Sequence, residues 1–307
     1  MKLIAGDVGG TKTLLQFIDG VNITTERRFE SGRYATFDDL LREFARDCPK
    51  ADSACFAVAG PVINGRAEIT NLHWVMEESA LASEFAIPRL SLINDFYAVA
   101  LGVPLLQPTD LLSLQKGRRE RGAPIGILGA GTGLGEAMVT FRGEVWNVVP
   151  SEGGHADFAP QDEQQSALFI ALHNRFGHVS WERLLSGMGL VNIFTFLGGE
   201  NVDPSVVAER ASEGDPLALE AFRIFVDIYG AEAGNLALRV LARGGVFLAG
   251  GVAAKNSSHF TDGRFIEAFL RKGRFRDVLG AIPVDLITNE RVGVMGAGEM
   301  ARRNAEG

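Results

Sequence analysis

Cysteine is nearly missing from this chain: Cys48 and Cys55 are the only two in 307 residues. That excludes a disulfide framework, and neither stands at zinc-ligand spacing from a second thiol. Cys55 lies in the apolar run Ala54-Cys55-Phe56-Ala57-Val58 and reads as a small core residue. No uncharged apolar stretch reaches the roughly 18 residues of a transmembrane helix, so no membrane span is expected. Asp7 interrupts the first apolar run almost at once, which argues against a secretory leader and for a cytoplasmic protein. Positive charge is short as well. A formal net charge of −8 argues against nucleic acid as a partner. No low-complexity segment is present. What remains is an ordinary globular composition on a chain long enough for about two domains.

Glycine, by contrast, is plentiful at 37 residues, well above the roughly 7% of average usage. The stretch Gly6-Asp7-Val8-Gly9-Gly10-Thr11-Lys12-Thr13 lets the backbone approach an anion and turn N–H groups toward it. Asp7 adds a negative charge of the kind a magnesium ion needs, directly or through water. A Walker A loop would need glycine at Thr11 and a helix to follow. Instead, Leu14 to Ile18 runs into Asp19-Gly20, a hairpin signal, so the glycines belong in a turn between two strands. The device recurs. Ile125 to Leu128 reads as a buried strand, Gly129-Ala130-Gly131-Thr132-Gly133-Leu134-Gly135 as the turn, and Glu136 to Phe141 as the returning strand. A dinucleotide fingerprint fails here, since it needs glycine at Leu134 and a helix afterwards. Two such units suggest related halves with a nucleotide between them.

Along the chain, Thr36 can cap a helix with Phe37, Leu40, Leu41 and Phe44 on one face. Ala54 to Val58 and Leu90 to Ile93 read as strands, with a hairpin turn at Ile63 to Arg66 and a short helix over Glu77 to Phe85. The order predicts a mixed α/β sheet. Residues from about 104 to 124 read as a connector with a solvated charged cluster. Helices are expected over Gln164 to Phe176, Trp181 to Leu185, Val191 to Leu197 and Pro216 to Ala242. Gly230 and Gly234 argue against an unbroken helix in the last of these. Val246 to Leu248 and Pro283 to Ile287 read as strands, and a final helix begins near Val294.

Asn94-Asp95 stands at the C-terminal end of a strand, where functional side chains of α/β sheets gather. Position alone does not separate a catalytic Asp95 from a simple helix cap. Glu152-Gly153-Gly154-His155 offers a carboxylate and an imidazole that suit a polyhydroxylated ligand, although each also fits a structural role. Glu182 falls near the start of a helix capped by Ser180, where an acid complements the helix dipole. Gly250-Gly251 fits either an adenine-side approach or a plain turn.

Together these residues resemble the bacterial glucokinase family of the sugar kinase/heat-shock/actin superfamily. The resemblance rests on Gly6 to Thr11, Leu92-Ile93-Asn94-Asp95-Phe96, Gly129 to Gly135, Glu152 to Pro160, His178 to Gly187 and Gly250-Gly251. It covers about residues 3 to 300. It implies a two-domain actin-like ATPase (ribonuclease H-like) fold with mixed sheets and an interdomain cleft. The small domain would span 1–106 with helix 294–307 packing back, and the large domain 107–293. The implied reaction is phosphorylation of glucose on its 6-hydroxyl by ATP with Mg2+. Asp95 would be the general base, and Asn94, Asp95, Glu152, His155 and Glu182 would bind the sugar. Gly6, Asp7, Val8, Gly9, Gly10, Thr11, Gly131, Thr132, Gly133, Gly250 and Gly251 would hold the nucleotide, with Asp7 toward the metal. A homodimer is expected from the family alone. Alternatives are a kinase for another hexose or amino sugar, and a non-catalytic sugar sensor. A zinc-bearing ROK kinase is disfavoured, because no Cys-rich motif follows His155.

Overall fold

The computed structural model describes residues 1–69, 71–143 and 145–307. Its contacts divide the chain into two units, Met1–Gln107 with Asn289–Gly307, and Pro108–Thr288. In the first unit, β1 (Lys2–Val8), β2 (Lys12–Asp19) and β3 (Asn22–Glu30) form an antiparallel meander. β4 (Ser53–Val58) pairs parallel with β1. β5 (Val62–Ile63), β6 (Arg66–Ile69) and β7 (Trp74–Glu77) make a small separate sheet, turned by Asn64 and Gly65, both at positive φ. β8 (Leu90–Asn94) completes the main sheet in the order β3-β2-β1-β4-β8.

Every residue of β4 is buried, as a central strand covered on both faces demands. One face packs Phe17, Phe37, Phe44, Phe56 and Trp74. Thr36 caps the helix Phe37–Ala45 by accepting from the Asp39 N–H, as its sequence position predicts. The other face, Leu3, Ala5, Cys55 and Ala57, is closed by Val294, Ala297 and Ala301 of the final helix Val292–Glu306. That helix crosses Asp95–Gly102 at backbone contact: a Cβ on Gly296 would strike the Ala98 carbonyl, and one on Gly102 the Val292 carbonyl.

The second unit adds β9 (Leu111–Gln115), β10 (Ile125–Ala130), β11 (Leu134–Arg142), β12 (Val145–Ser151), β13 (Gly245–Ala249) and β14 (Val284–Ile287). Their order is β12-β11-β10-β13-β14-β9, parallel from β10 through β14 and antiparallel elsewhere. β9 falls inside the stretch read as a connector: it is an edge strand whose neighbour in the sheet, β14, comes far later in the chain. Pro216–Val240 is a single helix of 25 residues. Gly230 and Gly234 do not break it, because each admits a backbone carbonyl, of Phe265 and Phe269, from the helix Arg264–Leu270. No described helix is long and apolar enough to cross a membrane.

Gly296→Ala tests the helix crossing. Alanine gains about 1 kcal/mol of helix propensity over glycine, but overpacking typically costs about 1–3 kcal/mol or more, and here the obstacle is backbone. The variant is expected to melt several degrees lower in a thermal scan followed by circular dichroism.

Candidate active site

In the first unit the glycine motif divides in two. Gly6 and Val8 are buried within β1; Val8 belongs to the core, and a Cβ on Gly6 would meet Phe56 and Leu15 at 2.6 and 2.7 Å. Gly9, Gly10 and Thr11 form the accessible lip between β1 and β2, which the Gly9 N–H closes on the Lys12 carbonyl at 3.0 Å. Ser31, at the end of β3, fastens this lip and is fully buried. Its Oγ donates to the Gly9 carbonyl at 2.7 Å and lies 3.0 Å from Thr13 Oγ1, while its N–H donates to the Thr11 carbonyl at 3.0 Å. No local signal marks Ser31, since its partners lie about twenty residues earlier.

Asn94 is the cap of helix Asp95–Gly102: its Oδ1 accepts from the N–H groups of Phe96 and Tyr97 at 2.9 and 3.0 Å. Its Nδ2 donates to the Gly60 carbonyl and to Asp95 Oδ1, both at 3.0 Å. Asp95 Oδ1 also accepts from its neighbour's N–H, Phe96, at 2.8 Å. The side-chain donor of Asn94 and the N–H of Phe96 thus both meet Oδ1 and not Oδ2. One oxygen is therefore fixed and the other left for a ligand. Burial raises the Asp95 pKa, partly offset by those donors. Asp7, at the end of β1, is pushed up to about 6, first by burial, then by the charge of Asp95, against a lowering influence of Arg28. Gly293 in the final helix packs on its carboxylate.

The second unit gathers a different set. The Gly131 N–H donates to the Gly133 carbonyl at 2.8 Å, closing the turn between β10 and β11. Gly250, at φ 88°, follows β13, and a Cβ there would strike the Ala130 carbonyl. The two turns thus lie side by side. The buried Tyr229 hydroxyl links them from below, accepting from the Ala130 N–H at 3.1 Å. Thr132 and Gly251 are exposed.

Glu182 does not sit in a helix capped by Ser180. Trp181–Arg183 is a single 3-10 turn, and Ser180 makes no side-chain cap. The run is too short for more, because Ser186 already caps the next helix, Gly187–Phe196, through the Gly189 N–H. Glu182 Oε2 accepts from the Leu134 N–H at 3.0 Å, which ties it to the second glycine turn. Its Oε1 lies 3.9 Å from His155 Nδ1, and His155 Nε2 lies 3.9 Å from Glu152 Oε2. Glu152, His155 and Glu182 therefore form one group, held by a 3-10 turn at Gly153–His155. Asn94 and Asp95 belong to the first unit. Among the described residues, no cluster of three or more His, Cys, Asp or Glu could hold a metal ion.

A family profile described as glucokinase matches residues 4–304. The chain belongs to the glucokinase family. A glucokinase of Nostoc sp. is 40% identical over 98% of this chain and 99% of its own length. Among solved structures, a glucokinase from an Antarctic psychrotroph superposes with a TM-score of 0.91 at 28% identity, covering 98% of this chain and 99% of that one. A ROK family glucokinase from Streptomyces griseus, solved in complex with glucose and AMPPNP, reaches 0.67 at 19% identity, covering 99% and 100%. That likeness concerns the fold alone. The fold is the two-domain actin-like ATPase fold of the sugar kinases.

Two predictions arise here. Ser31→Ala leaves the Gly9 carbonyl and Thr13 hydroxyl without their buried partner, at a cost of about 1–3 kcal/mol. Urea melts are expected to show that loss, and hydrogen exchange to show faster opening at residues 9–13. Asp7 binds its proton more tightly folded than unfolded, so stability it contributes at low pH is lost as pH rises from about 4 through about 6. Asp7→Asn is expected to melt roughly 2–5 °C higher than the parent at pH 8, with the difference vanishing below pH 4.

Proposed function

We infer that this glucokinase-family protein transfers the terminal phosphoryl group of ATP to the 6-hydroxyl of glucose, with Asp95 as the general base. The observation that carries the reading is the Asp95 carboxylate: one oxygen is locked by Asn94 and the Phe96 N–H, and the other is open to accept a hydroxyl proton. Its raised pKa brings its basicity closer to that needed at neutral pH. Asn94 orients that carboxylate; both hydrogens of its Nδ2 are committed, to Asp95 Oδ1 and to the Gly60 carbonyl, so it donates to the sugar only by exchanging one of these.

Glu152, His155 and Glu182 supply the remaining sugar contacts. A carboxylate accepts from two adjacent hydroxyls, so two glutamates and an imidazole can read most of a pyranose ring. With the Gly9 N–H closing the lip on the Lys12 carbonyl, the N–H groups of Gly10 and Thr11 are the ones offered to the phosphates. Thr132 and Gly133 serve the same end on the turn that the Gly131 N–H closes, and Gly250-Gly251 the adenosine. The recessed carboxylate of Asp7, raised in pKa beside a second acid, suits a divalent cation held directly or through water. Bound with the nucleotide, magnesium neutralises phosphate charge. The protein's own task is then positioning: it holds the hydroxyl and accepts its proton at Asp95 Oδ2. ATP and glucose meet in the cytoplasm, where we propose that it works.

Asp95→Asn keeps the shape and removes the base. It is expected to lower kcat by roughly 1,000-fold while leaving glucose affinity, measured by calorimetry, within a few-fold. A kcat within ten-fold of the parent would remove Asp95 as base.

A further inference from the structure

Glu136 is not among the residues assigned above, yet its situation is costly. It lies on β11 at 2% exposure, and neither carboxylate oxygen accepts a hydrogen bond from any described residue. Leaving such a group unpartnered is expensive, so its retention calls for a reason. Its nearest cation is Arg239, whose Nη1 lies 3.6 Å from Oε2.

Arg239 is itself fixed. On the same helix, two turns earlier, the fully buried Glu232 takes its Nη2. Glu232 Oε2 accepts from Asn235 Nδ2 at 2.8 Å, and Asn235 Oδ1 accepts from Lys272 Nζ at 2.6 Å. The guanidinium is thus clamped between two buried acids, one of which is held from behind.

The same carboxylate oxygen that faces Arg239 also meets the loop Glu152–His155. In the sheet register Glu136 stands opposite Ser151, and Ser151 Oγ accepts from the Gly153 N–H at 2.9 Å. A Cβ on Gly153 would strike Glu136 Oε2. The carboxylate therefore fills the floor beneath Gly153, between Glu152 and His155, both of which project outward.

We propose that Glu136, clamped by Arg239, is a positioning residue that sets the height and tilt of the Glu152–His155 loop against the sugar. The inference rests on the assignment of Glu152 and His155 to sugar binding. A buried ion pair contributes little net stability compared with apolar groups of equal volume, but it defines one geometry. That difference separates positioning from mere support. Replacing both partners by methionine keeps the packing and removes the direction.

The test compares Glu136→Gln, Arg239→Met, Arg239→Lys and the double Glu136→Met/Arg239→Met variant with Glu152→Ala, by steady-state kinetics and thermal melting of the full chain. Glu136→Gln, Arg239→Met and the double variant are expected to raise KM for glucose about ten-fold. KM for ATP should stay within two-fold, the double variant should melt near the parent, and Arg239→Lys should recover part of the loss. Should Glu152→Ala raise KM for glucose while the Glu136 and Arg239 variants do not, the positioning role is overturned and the site reading stands. An unchanged KM in Glu152→Ala overturns the site reading and this inference with it. If none of the Glu136 and Arg239 variants folds, the pair is structural and the proposal falls.

Discussion

Backbones meet in this protein where a side chain is missing, and both units depend on that contact. Gly250 lets the end of β13 lie on the Ala130 carbonyl, and Gly296 lets the final helix lie on the Ala98 carbonyl. Any Cβ at either place would force two elements apart. In the second unit the contact draws the turn after β10 and the turn after β13 into one neighbourhood. Tyr229 then serves both from beneath with a single hydroxyl, which also lies 3.4 Å from the Ala249 carbonyl. In the first unit it seats the helix that begins on Asp7.

The carboxylates of the two units are held in different ways, and the difference matches what each can do. Asp95 has one oxygen tied and one open. Glu182 has one oxygen on the Leu134 N–H and the other toward His155. Asp7 has burial and a like charge against it, so it favours a proton or a cation. Glu136 has no hydrogen-bond donor among the described residues, only an arginine at a distance. Only groups with an open oxygen can exchange partners with a substrate; Glu136, sealed inside, can act only through what rests on it.

Much of this was legible in the sequence, and the failures have physical causes. The glycine motifs are hairpin turns, as their flanking apolar runs indicate: β1 and β2, and β10 and β11, pair antiparallel across them. Thr36 and the Phe37–Phe44 face were local, and local signals survive folding. Strand β9 was missed because its neighbour in the sheet, β14, is some 170 residues away and no nearby pattern announces an edge strand. The helix Pro216–Val240 was doubted because glycine is a weak helix former, yet packing of Phe265 and Phe269 carbonyls outweighed propensity. The catalytic candidates were found by family resemblance more than by local chemistry. Glu182 is a case in point: its environment comes from Leu134 and His155, neither of them near it in sequence. Ser31 and Glu136 escaped altogether, since a buried serine and a strand glutamate acquire meaning only from the loops they touch.

The first unit is completed by the last residues of the chain. Its sheet exposes Leu3, Ala5, Cys55 and Ala57 until Val294, Ala297 and Ala301 arrive to cover them. On a ribosome those residues emerge only after the whole of Pro108–Thr288 has been made. At typical elongation rates of about 5–20 residues per second, the uncovered face waits on the order of ten seconds or more for its lid. The first-made segment, Met1–Gln107, therefore waits for its cover, while the later-made unit can fold from contiguous sequence.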